Sequence, residues 1–166
     1  SFGSALVHDY ARYTAGQVML ETAERMTPEE REPSVQQYLL LVGGLRTLVG
    51  SEHDPSLVLD AYLVRSLAVA GWAPSFDACA RCGVAGPHRA FHSAAGGALC
   101  AADRSPGSAA PAPETLELLG ALLTGDWATA DASEQRHRRE ASGLVSAYLS
   151  WQLERGLRSL PLVERH

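Results

Sequence analysis

The chain has 166 residues, of which 46% are hydrophobic and 20% are charged. This composition predicts one globular domain, or a compact body with a small appendage, because disordered chains carry fewer apolar and more charged residues. The formal net charge of -5 argues against a broad nucleic-acid-binding surface, which is usually basic.

Membrane and secretion signals are absent from this sequence. No run approaches the roughly 20 consecutive apolar residues that span a bilayer. The first residues, Ser1 to Ser4, contain neither an initiator methionine nor a signal-peptide pattern, and we interpret the chain as part of a longer protein. The 3 cysteines are an odd number, which favours metal binding in a reducing cytoplasm over a disulfide framework.

The first predicted helix spans residues 4–26. Its expected core face recurs at helical spacing and consists of Leu6, Tyr10, Tyr13, Val18 and Leu20. Two prolines and several charges over 27–33 then predict a surface turn.

A second helix is predicted from residues 33–34 to Val49, with Gly50 placed for a left-handed cap. This helix is apolar on nearly all sides, which is typical of a buried helix, so we predict that it is the central one. The third helix begins with Asp54 as N-cap and Pro55 at the first helical position.

Two helices are predicted in the last third of the chain. A short one covers 113–124, and Gly125 ends it. The last long helix is expected to begin with Asp131 and Glu134 in capping-box register and to end within 156–160.

Between these helices, residues 77–103 lose helical periodicity and contain glycines suited to tight turns and hairpins. The predicted fold is therefore mainly α, a helical bundle with an inserted zinc-ribbon-like β-hairpin. The predicted units are a first helical part (1–76), a zinc-binding insertion (77–104), a linker (105–113) and a second helical part (114–166).

The insertion contains the pattern C-x2-C-x17-C-x2-D, formed by Cys79, Cys82, Cys100 and Asp103. A zinc ribbon differs from it only in the last ligand. Two residues between ligands let one tight turn present both to a tetrahedral ion, and a carboxylate oxygen is an acceptable zinc ligand. We therefore predict structural Zn²⁺, held more weakly than by four thiolates.

Two alternatives remain open for the insertion. His88 or His92 could replace Asp103 as the fourth ligand, and the stretch could be a metal-free loop. A redox CxxC pair is disfavoured because no βαβ pattern surrounds it. A closed four-ligand site also leaves no position for catalysis.

The order of these segments resembles the RecO family of bacterial recombination mediators. A Gly-aromatic-Ala-Pro exit from the third helix leads directly into the CxxC pair within residues 63–83. The resemblance continues through 86–91, 96–100, 148–151 and 157–161, and the Gly-, Ala- and Arg-rich composition is similar to actinobacterial members. It covers essentially the whole chain but lacks the family's amino-terminal OB-fold, and Asp103 departs from the usual fourth cysteine.

The resemblance implies a non-enzymatic, cytoplasmic and nucleoid-associated role in DNA repair and recombination. Members of the family bind single-stranded DNA and the tail of the single-strand binding protein SSB, pair with RecR, anneal strands and help load RecA. The missing OB-fold is expected to supply most of the DNA binding. The alternative is a zinc-stabilised protein-interaction scaffold without direct nucleic-acid contact.

Several cationic side chains are candidates for these contacts. A basic tip on the insertion would contact DNA through Arg81, His88, Arg89 and Arg104, although these residues could equally be solvated loop cations. The acidic SSB tail ends in an apolar residue with a free carboxylate, so its site needs an apolar groove edged by arginine. The candidate edges are Arg46, Arg65, Arg155 and Arg158, among which the sequence does not choose.

No enzyme motif accompanies them. The sequence contains neither a Walker A pattern nor a G-x-G-x-x-G, H-E-x-x-H or G-x-S-x-G motif. We therefore predict that the protein is not an enzyme.

Overall fold

The computed structural model describes residues 2–26, 35–50 and 52–164, without the side chains of residues 2, 4–6 and 157–164. It is mainly helical with one small antiparallel hairpin, which confirms the predicted fold class. The helices are α1 (Phe2–Met26), α2 (Val35–Gly50), α3 (Pro55–Val69), α4 (Pro113–Thr124), α5 (Trp127–Asp131) and α6 (Gln135–Glu164). The hairpin consists of β1 (Ala90–His92), a 3₁₀ turn (Ser93–Ala95) and β2 (Gly97–Leu99). The turn predicted at 27–33 lies outside the described residues.

The central helix of the body is α3, so the prediction that α2 is central is wrong. The Asp54 carboxylate accepts a 2.8 Å hydrogen bond from the Ser56 amide and Pro55 begins the helix, which confirms its predicted start. Helix α3 contacts α1, α2, α4 and α6. Its buried residues lie on every side: Leu57, Val58, Asp60, Ala61, Tyr62, Leu63, Val64, Ser66 and Leu67. A helix enclosed in this way must be apolar all round.

Helices α1 and α2 pack side by side on α3 and leave an apolar surface outside. The core side of α1 includes Ala15, Met19 and Thr22. Tyr10, Tyr13 and Leu20 are exposed, so their place in the predicted core face is wrong, whereas Val18 is half-buried and the Leu6 side chain lies outside the described residues. In α2, Leu39 is 61% exposed and Val49 is 76% exposed. The α1–α2 outer face comprises Val7, Tyr10, Tyr13, Leu20, Val35, Tyr38, Leu39 and Val49.

The helix boundaries in the last third differ partly from expectation. Gly125 ends α4 with φ 83°, as predicted. A short helix, α5, begins after Asp126, whose carboxylate accepts a hydrogen bond from the Thr129 amide. Because α5 occupies Trp127–Asp131, the predicted start of the last helix at Asp131 is wrong, and α6 begins at Gln135. Helix α6 also extends beyond the predicted end, and Gly50 is the last residue of α2 rather than a cap beyond it.

Polar contacts join α6 to the α3 region, among them the 3.5 Å ion pair of Arg138 with the N-cap residue Asp54. The Ser142 hydroxyl donates to the carboxylate of Asp60, which is only 4% exposed. Burial raises the pKa of Asp60 to about 6; the Ser142 hydrogen bond opposes this rise and the Asp54 charge adds to it. The Tyr148 hydroxyl donates to the Trp72 carbonyl at 2.8 Å.

The segment between the hairpin and α4 follows the hairpin closely. The Phe91 amide donates to the Ala109 carbonyl at 2.9 Å, and the Ala109 amide returns a bond to Phe91 at 2.8 Å. The division into units at 77, 105 and 114 stays a prediction. Within the part of the chain that the structure describes, no helix is long and apolar enough to cross a bilayer.

Candidate metal centre

The hairpin packs against the helical body through the side chain of Phe91. Its two strands pair Ala90 with Leu99 and Phe91 with Ala98. Phe91 is buried, with ring centroids 6.2 Å from Phe76 and 6.3 Å from Tyr148. One face of the hairpin therefore belongs to the core, and on the other face Ala90 and Leu99 pack with Cys79 and Cys100.

A second attachment requires glycine at the start of β2. The Ser75 amide donates to the Gly96 carbonyl at 2.9 Å, and the Ala98 amide donates to the Ser75 carbonyl at 2.8 Å. Gly97 has φ +127°, and a Cβ there would collide with the Ser75 backbone. Only glycine combines this conformation with so close an approach of the two chains.

Each half of the ligand set lies on a tight turn. In the first, the Cys79 amide donates to the Val84 carbonyl and the Gly83 amide donates to the Cys79 carbonyl, both at 2.9 Å. In the second, the Asp103 amide donates to the Cys100 carbonyl at 3.2 Å. These turns are the local structure that the two-residue spacing predicts.

The four ligand atoms converge: they all lie within 4.8 Å of one another. Cys82 Sγ is 3.8 Å from Cys100 Sγ, and Asp103 Oδ2 lies 3.5 Å from Cys79 Sγ and 3.3 Å from Cys100 Sγ. In a tetrahedral zinc complex, sulfur atoms would be about 3.8 Å apart, and sulfur and oxygen about 3.5 Å apart. The observed separations fit a tetrahedral ion.

The charges of the cluster also favour a cation. Backbone hydrogen bonds, chiefly from the Cys82 amide, lower the pKa of Cys79 to about 7. The Val84 amide favours the Cys82 thiolate, but Asp103 and the neighbouring sulfurs together raise the pKa of Cys82 to about 11. The thiols of Cys82, Cys100 and Cys79 donate to Asp103 and lower its pKa. Repulsion between like charges thus opposes deprotonation of all the thiols in the cluster. A divalent cation would reduce this repulsion.

The two histidines considered as ligands lie outside this cluster. His88 Nε2 is 2.9 Å from the Val84 carbonyl and therefore supports the first turn. His92 ends β1, and its Nδ1 has no hydrogen-bond partner among the described residues. Of the three alternatives for the fourth ligand, only Asp103 belongs to the group.

The cationic residues of the insertion are not metal ligands. Arg81, Arg89 and Arg104 are exposed, whereas His88 is half-buried. The Arg81 charge acts on Asp103 and lowers its pKa, so this arginine lies near the ligand set. The DNA-binding role of these four residues stays a prediction.

The four candidate partner-binding arginines have different environments. Arg65 Nε donates to the Leu122 carbonyl at 3.1 Å, and burial lowers its pKa, so it joins α3 to α4. Arg155 is exposed on α6, and the Arg158 side chain lies outside the described residues. Arg46 is exposed on α2 and lines a groove.

The sequence named Arg46 as one of four candidate edges of an apolar groove but did not choose among them, and the structure has a groove beside this arginine. The groove has a volume of about 330 Å³ and is lined by Val42, Leu45, Arg46 and Val49. No ion-pair partner of Arg46 occurs among the residues that the structure describes. The available signal was an arginine within a helix that is apolar on both its core and outer sides.

The fold and the cluster define a mainly helical protein with a small hairpin, beside which a Cys3Asp cluster could hold a metal ion. The family model described as "Recombination protein O C terminal" matches residues 7–161. The chain belongs to this family, which confirms the resemblance stated from its motifs.

Relatives carry the name DNA repair protein RecO. The protein from Streptomyces avermitilis is 68% identical over 164 residues, which cover 99% of this chain and 66% of the relative. That from Streptomyces griseus is 66% identical with the same coverage, and that from a Nocardioides species is 64% identical, with 99% and 68% covered. The chain thus spans 66% of the length of these Streptomyces relatives.

Proposed function

We propose that this chain acts in DNA repair and recombination as a binding part of a RecO-type mediator, and that it docks the acidic C-terminal tail of SSB. Support for the repair role comes from the family match and the names of the relatives. The observation that carries the docking proposal is Arg46, an exposed cation without an ionic partner among the described residues, beside an apolar groove.

The chemistry of the groove suits such a tail. Val42, Leu45 and Val49 offer apolar surface to a terminal apolar side chain. The Arg46 guanidinium can form two parallel hydrogen bonds with the free carboxylate. Arg65 is a poorer candidate because its Nε already bonds to the Leu122 carbonyl.

Peptide binding tests this proposal. Fluorescence anisotropy with an SSB C-terminal peptide should detect binding that weakens with salt, since the contact is partly ionic. Arg46→Ala should weaken it by about tenfold or more, the scale of a lost charged hydrogen bond. Arg139→Ala, which removes an exposed arginine of α6, is the matched control. No binding at low salt, or equal loss in both variants, contradicts the proposal.

Residues 77–104, here called the hairpin lobe, are proposed to hold structural Zn²⁺ and to contribute to contact with single-stranded DNA. The Cys3Asp set fits zinc because thiolates dominate it. Arg81, Arg89 and Arg104 are exposed around the lobe and could neutralise phosphates. RecR pairing, strand annealing and RecA loading are proposed for the longer protein rather than for this chain alone.

Two measurements separate these roles from a plain scaffold. Metal analysis should find one equivalent of zinc, lost in Cys100→Ser. The triple change Arg81/Arg89/Arg104→Ala should reduce affinity for single-stranded DNA and flatten its salt dependence. Equal, negligible DNA affinity in both forms would instead favour a zinc-stabilised scaffold that binds only proteins.

We further propose a binding role rather than catalysis. Three thiolates and one carboxylate fill a tetrahedral coordination sphere, which leaves no open position for substrate or water. Metal-loaded protein with a water ligand, visible in the spectrum of the Co²⁺-substituted form, would contradict this.

A further inference from the structure

We propose that Cys82 and Cys100 are a peroxide-oxidisable pair, whose disulfide replaces the metal ion as the link between the two turns of the hairpin lobe. This inference rests on the proposed metal binding for its starting state. It concerns a chemical response of the lobe that is separate from partner binding.

The positions of the three sulfur atoms single out this pair. Cys82 and Cys100 lie on opposite turns, and their Sγ atoms are 3.8 Å apart. Cys82 is exposed and Cys100 is half-buried, whereas Cys79 is only 3% exposed. An oxidant arriving from solvent therefore meets Cys82 first, with Cys100 as the neighbouring thiol on the other turn.

The oxidation balances with hydrogen peroxide as the only added reactant. Metal binding would hold Cys82 deprotonated, because a thiol coordinates as its thiolate. That thiolate attacks peroxide, the O–O bond breaks, and a sulfenic acid and one water form after protonation. The Cys100 thiolate then attacks that sulfur, the S–O bond breaks, and a second water leaves. In total two thiolates, two protons and one peroxide give one disulfide and two waters, and the two sulfurs supply the two electrons.

This bond would remove two of the four ligands. Only Cys79 and Asp103 would remain as ligands. Because Asp103 is already one of the four ligands, it cannot also replace a thiolate lost to oxidation. Two ligands are too few for a structural tetrahedral site, so the ion leaves. The disulfide nevertheless joins the same two turns, which should keep the lobe folded without metal.

Peroxide titration of the full chain tests the proposal. One zinc ion should be released for every two thiols lost. A colorimetric chelator measures the released zinc, and a thiol reagent counts the remaining thiols. Non-reducing peptide mapping should then identify a Cys82–Cys100 link. The oxidised, metal-free chain should melt at a higher temperature than reduced chain stripped with a chelator, and dithiothreitol plus zinc should restore the starting state.

Single-cysteine variants keep the outcomes separable. Cys79→Ser should still form the Cys82–Cys100 link even where it has lost zinc, whereas Cys100→Ser should not form it. A Cys79–Cys82 link, or sulfinic acid without any disulfide, overturns the pairing. Absence of metal before oxidation contradicts the proposed zinc site alone, because peptide mapping of the metal-free chain still tests the pairing.

Discussion

The Cys100 thiol lies 3.3 Å from the Asp103 carboxylate, which is the single oxygen donor in the ligand set. A carboxylate is a harder ligand than a thiolate, and Zn²⁺ is a borderline-soft ion. The identity of this one side chain should therefore set how tightly the lobe holds its metal.

Changing Asp103 should move zinc affinity in both directions. Asp103→Asn removes the anionic ligand and should weaken zinc binding by more than about tenfold, since even loss of an outer partner costs that much. Asp103→Cys should tighten it. Competition with a chromogenic chelator measures both, and Asp77→Asn, an exposed carboxyl outside the cluster, should match the unchanged chain. Unaltered affinity in Asp103→Asn would exclude this residue as a ligand.

Stability should depend on pH through Asp60. The folded chain keeps the Asp60 proton up to about pH 6, whereas the ordinary pKa is 3.8, so the free energy of unfolding decreases as pH rises between these values. Asp60→Asn should abolish this decrease and raise the free energy of unfolding at pH 7 by up to about 3 kcal/mol. Urea unfolding at pH 4 and pH 7 measures it, with exposed Glu117→Gln as control. A pH-independent difference would contradict the assignment.

Truncation of matched leucines should separate the core from the α1–α2 outer face. Leu119 in α4 is fully buried, so Leu119→Ala should lower the free energy of unfolding by about 2–5 kcal/mol. Leu39→Ala on the outer face should change it by less than about 0.5 kcal/mol. Thermal and urea unfolding of both variants decide the matter. A large loss in Leu39→Ala would mean that this face is covered in solution.

The hydrogen bond from Tyr148 to Trp72 should contribute to stability. Tyr148→Phe leaves the ring but removes the donor to the Trp72 carbonyl, which should lower the free energy of unfolding by about 1 kcal/mol. Tyr38→Phe removes an exposed hydroxyl and is the control. Equal melting temperatures for the two variants would show that water replaces the lost donor.

The sequence predicted the convergence of the Cys3Asp cluster because its geometry is local. Two residues between Cys79 and Cys82, and again between Cys100 and Asp103, fix each turn regardless of the rest of the fold. The N-cap at Asp54 and the end of α4 at Gly125 were predictable for the same reason. The choice of Asp103 over the histidines needed tertiary structure, because His88 and His92 lie between Cys82 and Cys100 along the chain and only their position in space excludes them from the cluster.

The errors concern which helix faces meet which neighbours. Helix α2 is apolar all round, but periodicity cannot distinguish burial among helices of this chain from a surface awaiting another partner. In α1 the small residue Ala15 is buried while Tyr10 and Tyr13 are exposed, which reverses a hydrophobicity-based assignment. Helix α5 has only five residues, too few for a periodic signal.

The backbone bridges of Ser75 and Ala109 to the hairpin limit how this lobe can be transplanted. A synthetic peptide covering only 77–104 would lack both flanking segments and would expose Phe91 to water. A graft onto a foreign scaffold would need to include residues 75–109, which contain Phe76. The scaffold would also need to provide an aromatic side chain that packs on Phe91 in place of Tyr148.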